Sequence, residues 1–172
     1  MKSTITSLAL AASLFAGFAS AADAPAPAAP AATEAALPAV PAYLKTATFL
    51  TGTPATDADF YIYLFSASWC GPCRAIMPEF VAQYPDMKAN KVEIILISVD
   101  DSEEAAKAYI EHYKAGLPGL YARTQVVKNL PSVIIPRTIP TATILTASGQ
   151  VLYNGPARQA LEWKQICKPE AK

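Results

Sequence analysis

The chain has 172 residues, with 14 basic and 14 acidic side chains that cancel, three cysteines and one histidine. A net charge of zero argues against nucleic acid or an anionic membrane surface as a main partner, since both demand a basic patch. Residues 1–21, MKSTITSLALAASLFAGFASA, carry Lys2, an apolar run from Leu8 to Phe18 and the small residues Ala19-Ser20-Ala21. That is the pattern of a cleavable signal peptide, and the apolar run is shorter than the ~20 residues a membrane anchor wants. Cleavage before Ala22 would leave a periplasmic or secreted protein and, with Lys2 gone, take the formal charge from zero to minus one. Residues 22–41, ADAPAPAAPAATEAALPAVP, have Asp23 and Glu34 as their charges and are otherwise mainly alanine and proline. Proline fixes φ and removes donors, so a disordered, partly stiff linker is expected, either a spacer or an arm without a role. Residues 42–172 have the length of one domain with a single core.

Within that domain, Phe60 to Phe65 is a short aromatic and aliphatic run, as expected of a strand buried on both faces, and Val92 to Val99 is a second. Between them Cys73, Ile76, Met77, Phe80, Val81 and Tyr84 recur at helical spacing from Gly71 to Lys88, which predicts a βαβ unit with parallel strands. Pro78 deletes a hydrogen bond inside this helix and bends it. Asp101 and Glu104 are read as the cap pair of a second helix, SEEAAKAYIEHYKAG, ending at Gly116. Ala106, Tyr109, Ile110 and Tyr113 form its buried stripe, and Glu103 and Lys107 an exposed i,i+4 pair. An irregular stretch from Leu117 to Thr138 holds a short helix near Tyr121 to Asn129. Thr141 to Thr146 and Gln150 to Tyr153 then read as a hairpin around Ala147-Ser148-Gly149. Ala157 to Cys167 reads as one final helix, packed through Leu161, Trp163 and Ile166.

Two of the three cysteines, Cys70 and Cys73, flank a Gly-Pro pair directly after Trp69. A structural zinc site needs four ligands, and the other candidates are Cys167 and His112, which lies on a charged stretch of helix, so no metal is expected. A structural disulfide closing a loop of two residues removes little entropy from the unfolded chain. Redox chemistry accounts for every residue of the stretch. The pair falls where a strand ends and a helix begins, so the first sulfur meets unpaired amides and the positive end of the helix dipole, which stabilise a thiolate. Cys70 is thus the expected exposed nucleophile, and Cys73, one turn on and facing inward, the thiol that resolves the mixed disulfide. Pro72 stiffens the turn, and Trp69 supplies a flat apolar rim.

Trp69-Cys70-Gly71-Pro72-Cys73, Pro78 in the same helix and Ile139-Pro140-Thr141 before a hairpin resemble the thioredoxin superfamily over the whole domain. The resemblance implies an α/β thioredoxin fold, with a central mixed β-sheet flanked by helices. It also implies a cis peptide at Pro140 beside the cysteines and a backbone edge at Ile139 that pairs with an extended substrate. Phe65-Ser66-Ala67-Ser68-Trp69 and Ile97-Ser98-Val99-Asp100 are most similar to the tryparedoxin and nucleoredoxin branch, and the secreted setting to bacterial periplasmic thioredoxin-like proteins. Two departures matter. Thioredoxin has a buried aspartate six residues before its first cysteine, where this chain has Leu64, and Ile134-Ile135-Pro136-Arg137-Thr138 lacks the usual glycine before Ile-Pro-Thr. Asp100 is read as a turn or capping residue. Cys167 is read as a buried apolar thiol, with a regulatory or intermolecular role as the alternative.

Gly-Pro between the cysteines resembles reductants, whereas oxidising relatives carry Pro-His and isomerases Gly-His. Absence of that histidine points toward the reducing end of the scale, near the about −270 mV of thioredoxin. The expectation is a reductase of disulfide-containing proteins, resupplied by a membrane thiol electron donor. No nucleotide, haem or flavin signature is present, so no cofactor is expected and electrons pass through sulfur alone. The alternatives are an oxidase or isomerase of the same fold, and a non-catalytic module that binds peptide at Trp69 and Ile139.

Overall fold

The computed structural model describes residues 39–132 and 134–168. The expected signal peptide and residues 22–38 of the expected linker lie outside the described residues. The central strand β1 (Phe60–Ser66) is buried along its whole length because it has a strand on either side and helices on both faces. It pairs in parallel with β2 (Val92–Ser98), from Phe60 opposite Val92 to Ser66 opposite Ser98. On its other side it pairs antiparallel with β4 (Thr141–Thr146), which continues into β5 (Val151–Pro156). A short strand β3 (Gly119–Tyr121) adds in parallel to β2, giving the order β3-β2-β1-β4-β5. Side chains alternate across β1. Phe60, Ile62 and Leu64 enter one core layer, while Tyr61, Tyr63 and Phe65 enter the other.

The first layer is closed by α2 (Gly71–Ala89), whose buried stripe is Cys73, Ile76, Met77, Phe80, Tyr84 and Met87, close to the spacing the sequence predicts. Both Pro78 and Pro85 lie inside this helix. The same layer takes Tyr109 and Ile110 from α3 (Glu103–His112). The cap of α3 is Ser102 rather than Asp101, its hydroxyl accepting from Ala105 N–H at 3.2 Å. Lys107 pairs with Glu111 at 3.9 Å, not with Glu103. The helix stops before Gly116 because the chain turns through left-handed backbone at Lys114 and Gly116, with φ of 49° and 65°.

The closing segment is not one α-helix. Residues Ala157–Glu162 form a 3-10 helix and Trp163–Ile166 a single α turn, α5. The buried residues Ala157, Ala160 and Trp163 recur every three positions, the period of the tighter helix.

On the opposite face lie α1 (Val40–Lys45) and α4 (Gln125–Lys128), the latter within the predicted Tyr121 to Asn129. Helix α1 begins inside the alanine- and proline-rich stretch, where the sequence predicts no element. Its Val40 and Leu44, one turn apart, are buried on the layer that holds Tyr63, Leu130, Ile134 and Leu145, and Val40 N–H donates to Ala147 O at 3.0 Å. Among the described residues no helix is long and apolar enough to cross a membrane.

Candidate redox site

Strand β1 ends at Ser66, three residues of loop follow, and Cys70 caps α2 in extended backbone geometry, φ −85° and ψ 105°. The Cys70 sulfur accepts the N–H of Cys73 at 3.2 Å, one of the donors a helix start leaves without a carbonyl. Pro72, in the first turn, has no N–H to leave unpaired. The two sulfurs form a disulfide, with the Cα atoms 5.2 Å apart. Cys73 has no exposed surface and Cys70 keeps 6%, so Cys70 is the more accessible sulfur but more covered than the sequence suggests. Trp69 stands beside it as the expected rim, 60% exposed.

The Ile139-Pro140 peptide is cis, as the resemblance implies. Ile139 packs against the cluster of Ala67, Cys70 and Cys73, together with Val99. The loop is tied down on its far side, where Ala157 N–H donates to Pro140 O at 3.1 Å and the Thr141 hydroxyl donates to Thr138 O at 2.6 Å. Among the described residues, the N–H and C=O of Ile139 itself meet no hydrogen-bond partner. Six of the residues that sequence reasoning singles out, Trp69, Cys70, Pro72, Cys73, Ile139 and Pro140, thus come from two chain segments that meet at the carboxyl end of β1.

Leu64 is fully buried and apolar, so no carboxylate occupies the position where thioredoxin has its aspartate. Asp100 corrects the turn-or-cap reading. It is 1% exposed, and its carboxylate accepts the Ser68 N–H at 3.1 and 3.2 Å, the Ser68 hydroxyl at 2.6 Å and the Ser98 hydroxyl at 2.6 Å. Ser68 belongs to the loop that carries Trp69 and Cys70, so Asp100 braces the site from the end of β2. A second buried bridge, 2.6 Å between the hydroxyls of Ser66 and Tyr109, ties the end of β1 to α3. The signal available in sequence was the pair Ser66-Ala67-Ser68 and Ser98-Val99-Asp100, each at the end of one of two predicted parallel strands.

Elsewhere, Cys167 is buried in the layer that contains α2, and burial pushes its thiol up to about 12. His112 is exposed, in edge contact with the Tyr113 ring. Among the described residues no three His, Cys, Asp or Glu side chains come together as a metal ion would need.

A disulfide-forming pair at the start of the helix after a central strand, faced by a cis-proline loop on a mixed sheet, defines a protein of the thioredoxin superfamily. Residues 56–154 match the AhpC/TSA family, and the chain belongs to it. It is 30% identical over 87 residues to the thiol-disulfide oxidoreductase ResA of Oceanobacillus iheyensis, covering 51% of this chain and 44% of that protein. Nucleoredoxin of Xenopus laevis is 33% identical over 101 residues, covering 51% of this chain and 23% of nucleoredoxin. The structure of tryparedoxin II from C. fasciculata superposes with a TM-score of 0.58 at 26% identity, over 76% of this chain and 93% of that one. The chain spans about half the length of the ResA relatives it matches.

Proposed function

We propose that this chain is an exported thiol-disulfide oxidoreductase that reduces disulfides in protein substrates. The observation that carries the reading is the Cys70 sulfur at the amino end of α2, accepting the Cys73 N–H, while Cys73 is shut away from solvent. An amide donor and the helix dipole favour negative charge on the outer sulfur, and burial disfavours it on the inner one, so the two thiols take different roles.

In the reduced protein the Cys70 thiolate attacks one sulfur of the substrate disulfide and displaces the other, which leaves as a thiolate and takes a proton from water. Cys73 then loses its proton to water and attacks the Cys70 sulfur. The Cys70–Cys73 disulfide forms and the second substrate sulfur departs as a thiolate that water protonates, so two electrons have passed to the substrate, whose two protons come one from Cys73 through water and one from the solvent. A dithiol donor, on this reading a membrane thiol protein, must return them before the next cycle. Trp69 flanks the incoming cystine, Pro72 holds the turn, and cis-Pro140 presents the unpaired N–H and C=O of Ile139 to an extended substrate strand. Export rests on residues 1–21. The direction of electron flow is supported by Gly71-Pro72, which puts no histidine beside the thiolate; a histidine there would stabilise the reduced form and raise the potential.

The test is the reduction potential of the pair in Cys167→Ser protein equilibrated with dithiol buffers. A value of about −250 mV or lower is expected, and a value near about −120 mV, that of a strong disulfide oxidant, would overturn the direction. Replacing both Cys70 and Cys73 by serine should abolish turnover of a protein disulfide; unchanged substrate capture and no turnover by the wild type would instead make the domain a peptide-binding module.

A further inference from the structure

Beside the disulfide lies a groove of about 610 Å³, floored by Phe65, Val99, Val127 and Ile139 and walled by Trp69 and Ile135. Trp69 and Ile135 are two of the three large hydrophobic side chains with the greatest exposure among the described residues, at 60% and 41%. Such exposure concentrated in one hollow marks a binding surface rather than a random surface residue. Two charged side chains line the same groove, Lys128 at the end of α4 and Arg137 in the segment just before Ile139, and both are cations. No carboxylate is among the lining residues, and neither cation forms an ion pair among the described residues. Asp101, two residues beyond the lining Val99 in sequence, has its carboxylate paired with Arg123 at 3.5 Å. Arg137 stands on a ridge, since Ile135 to Thr138 also bound a second hollow of about 400 Å³ that runs past Pro140 to Asn154 and Gly155. A chain lying along either side of cis-Pro140 passes its guanidinium.

We infer that this groove selects extended protein segments in which the reacting cysteine is followed or preceded, within a few residues, by a bulky apolar side chain and an acidic one. The apolar side chain is held between Trp69 and Ile135, and the carboxylate by Arg137 and Lys128. The inference rests on the disulfide-reductase reading and deepens it, by naming the substrate sequence class. Rim charges of this kind act chiefly on encounter and discrimination and weaken with salt.

The test uses the reduced full chain and three peptides of equal length, each with one disulfide and one leucine, that differ in a single flanking glutamate, glutamine or lysine. Bis(2-hydroxyethyl) disulfide, small and uncharged, reports the chemistry without the groove. At low ionic strength kcat/KM should fall from the glutamate to the lysine peptide by about five- to tenfold. The spread should collapse at about 1 M salt, where the screening length shrinks to about 3 Å. In protein carrying both Lys128→Glu and Arg137→Glu the order of the peptides should invert. Equal rates on all three peptides, with the small disulfide turned over, would sink the selectivity and leave the reductase reading standing. No turnover of any disulfide by the reduced protein would sink both.

Discussion

Asp100 keeps a carboxylate away from water against Ser68, two residues before the first redox cysteine. Such burial is tolerated because its two oxygens are met by the Ser68 N–H, the Ser68 hydroxyl and the Ser98 hydroxyl. Charge-assisted bonds of this kind are stronger than neutral ones, so Ser68 is held firmly, and with it the approach to Trp69 and Cys70. Asp100→Ala should remove that brace and leave three donors to find water; a loss of about 3 kcal/mol in urea denaturation is expected. The same variant should change the alkylation rate of reduced Cys70, since the loop that aims its sulfur is released. A loss below about 0.5 kcal/mol would mean that water replaces the carboxylate without penalty. None of this could be read from Asp100 alone, which follows a strand and precedes a helix as a capping residue would. Its role exists because β1 and β2 pair in parallel with Ser66 opposite Ser98, which brings Ser68 and Asp100, 32 residues apart in sequence, to the same edge. By contrast Cys70, Cys73 and Pro140 were legible in sequence, because their chemistry depends on local spacing and on a proline.

At the scale of elements, α2 and β2 are joined by more than their apolar stripe. Glu93 on β2 is 1% exposed and accepts from the Tyr84 hydroxyl of α2 at 2.6 Å, from Ala55 N–H at 2.8 Å and from Ile94 N–H at 3.1 Å. The Tyr84 phenol is held well above its ordinary range, first by burial and then by the carboxylate it donates to. Tyr84→Phe keeps the ring and removes one donor from a buried charge, so it should cost about 2 kcal/mol, read as a lower urea midpoint with an unchanged slope. A change below about 0.5 kcal/mol would show that the two backbone donors suffice. A glutamate in the middle of an apolar run gives no sign of such a partner in sequence, and the same limit explains the elements that were missed. Strand β3 opens on Gly119 after Pro118, a composition of turns, yet a Cβ at Gly119 would stand 2.5 Å from the Ile110 side chain and 2.7 Å from the Thr51 hydroxyl. The glycine is there for close approach of that strand to α3, and three residues are too few to display a period. Helix α1 was hidden for a related reason, since Val40 and Leu44 become informative only once the layer they cover is known. The long periodic elements, β1, α2, β2, α3 and the β4–β5 hairpin, were legible because each presents at least five residues of consistent pattern.

For the whole molecule, stability at neutral pH should come from the two apolar layers rather than from surface charge. Each of the five ion pairs among the described residues joins side chains that are 45% or more exposed, and such pairs contribute little. Titration of buried phenols then sets the alkaline limit. Tyr63 on one face of the sheet and Tyr84 and Tyr109 on the other are all buried, and burial raises each above the ordinary tyrosine value of 10.0; at Tyr109 the Ser66 hydroxyl offsets part of the effect. The folded state therefore holds protons that the unfolded chain releases from about pH 10 upward. A raised pKa of this sign gives stability that is complete below the unfolded value and lost as pH climbs toward the folded one. Cys167 acts in the same direction, starting from its ordinary 9.0 and extending to about 12. With the oxidised protein, in which Cys70 and Cys73 do not titrate, the unfolding free energy should be level from about pH 7 to 9. It should then fall by at least about 5.6 kcal/mol per pH unit once these three phenols and the Cys167 thiol ionise only on unfolding, at about 1.4 kcal/mol each, with Tyr43 and Tyr61 adding in the same direction. Urea midpoints measured across that range, alongside phenolate absorbance, decide the matter. Phenolate appearing for these tyrosines near pH 10 in protein that is still folded would mean that water reaches them, and that the two layers are less closed than their burial implies.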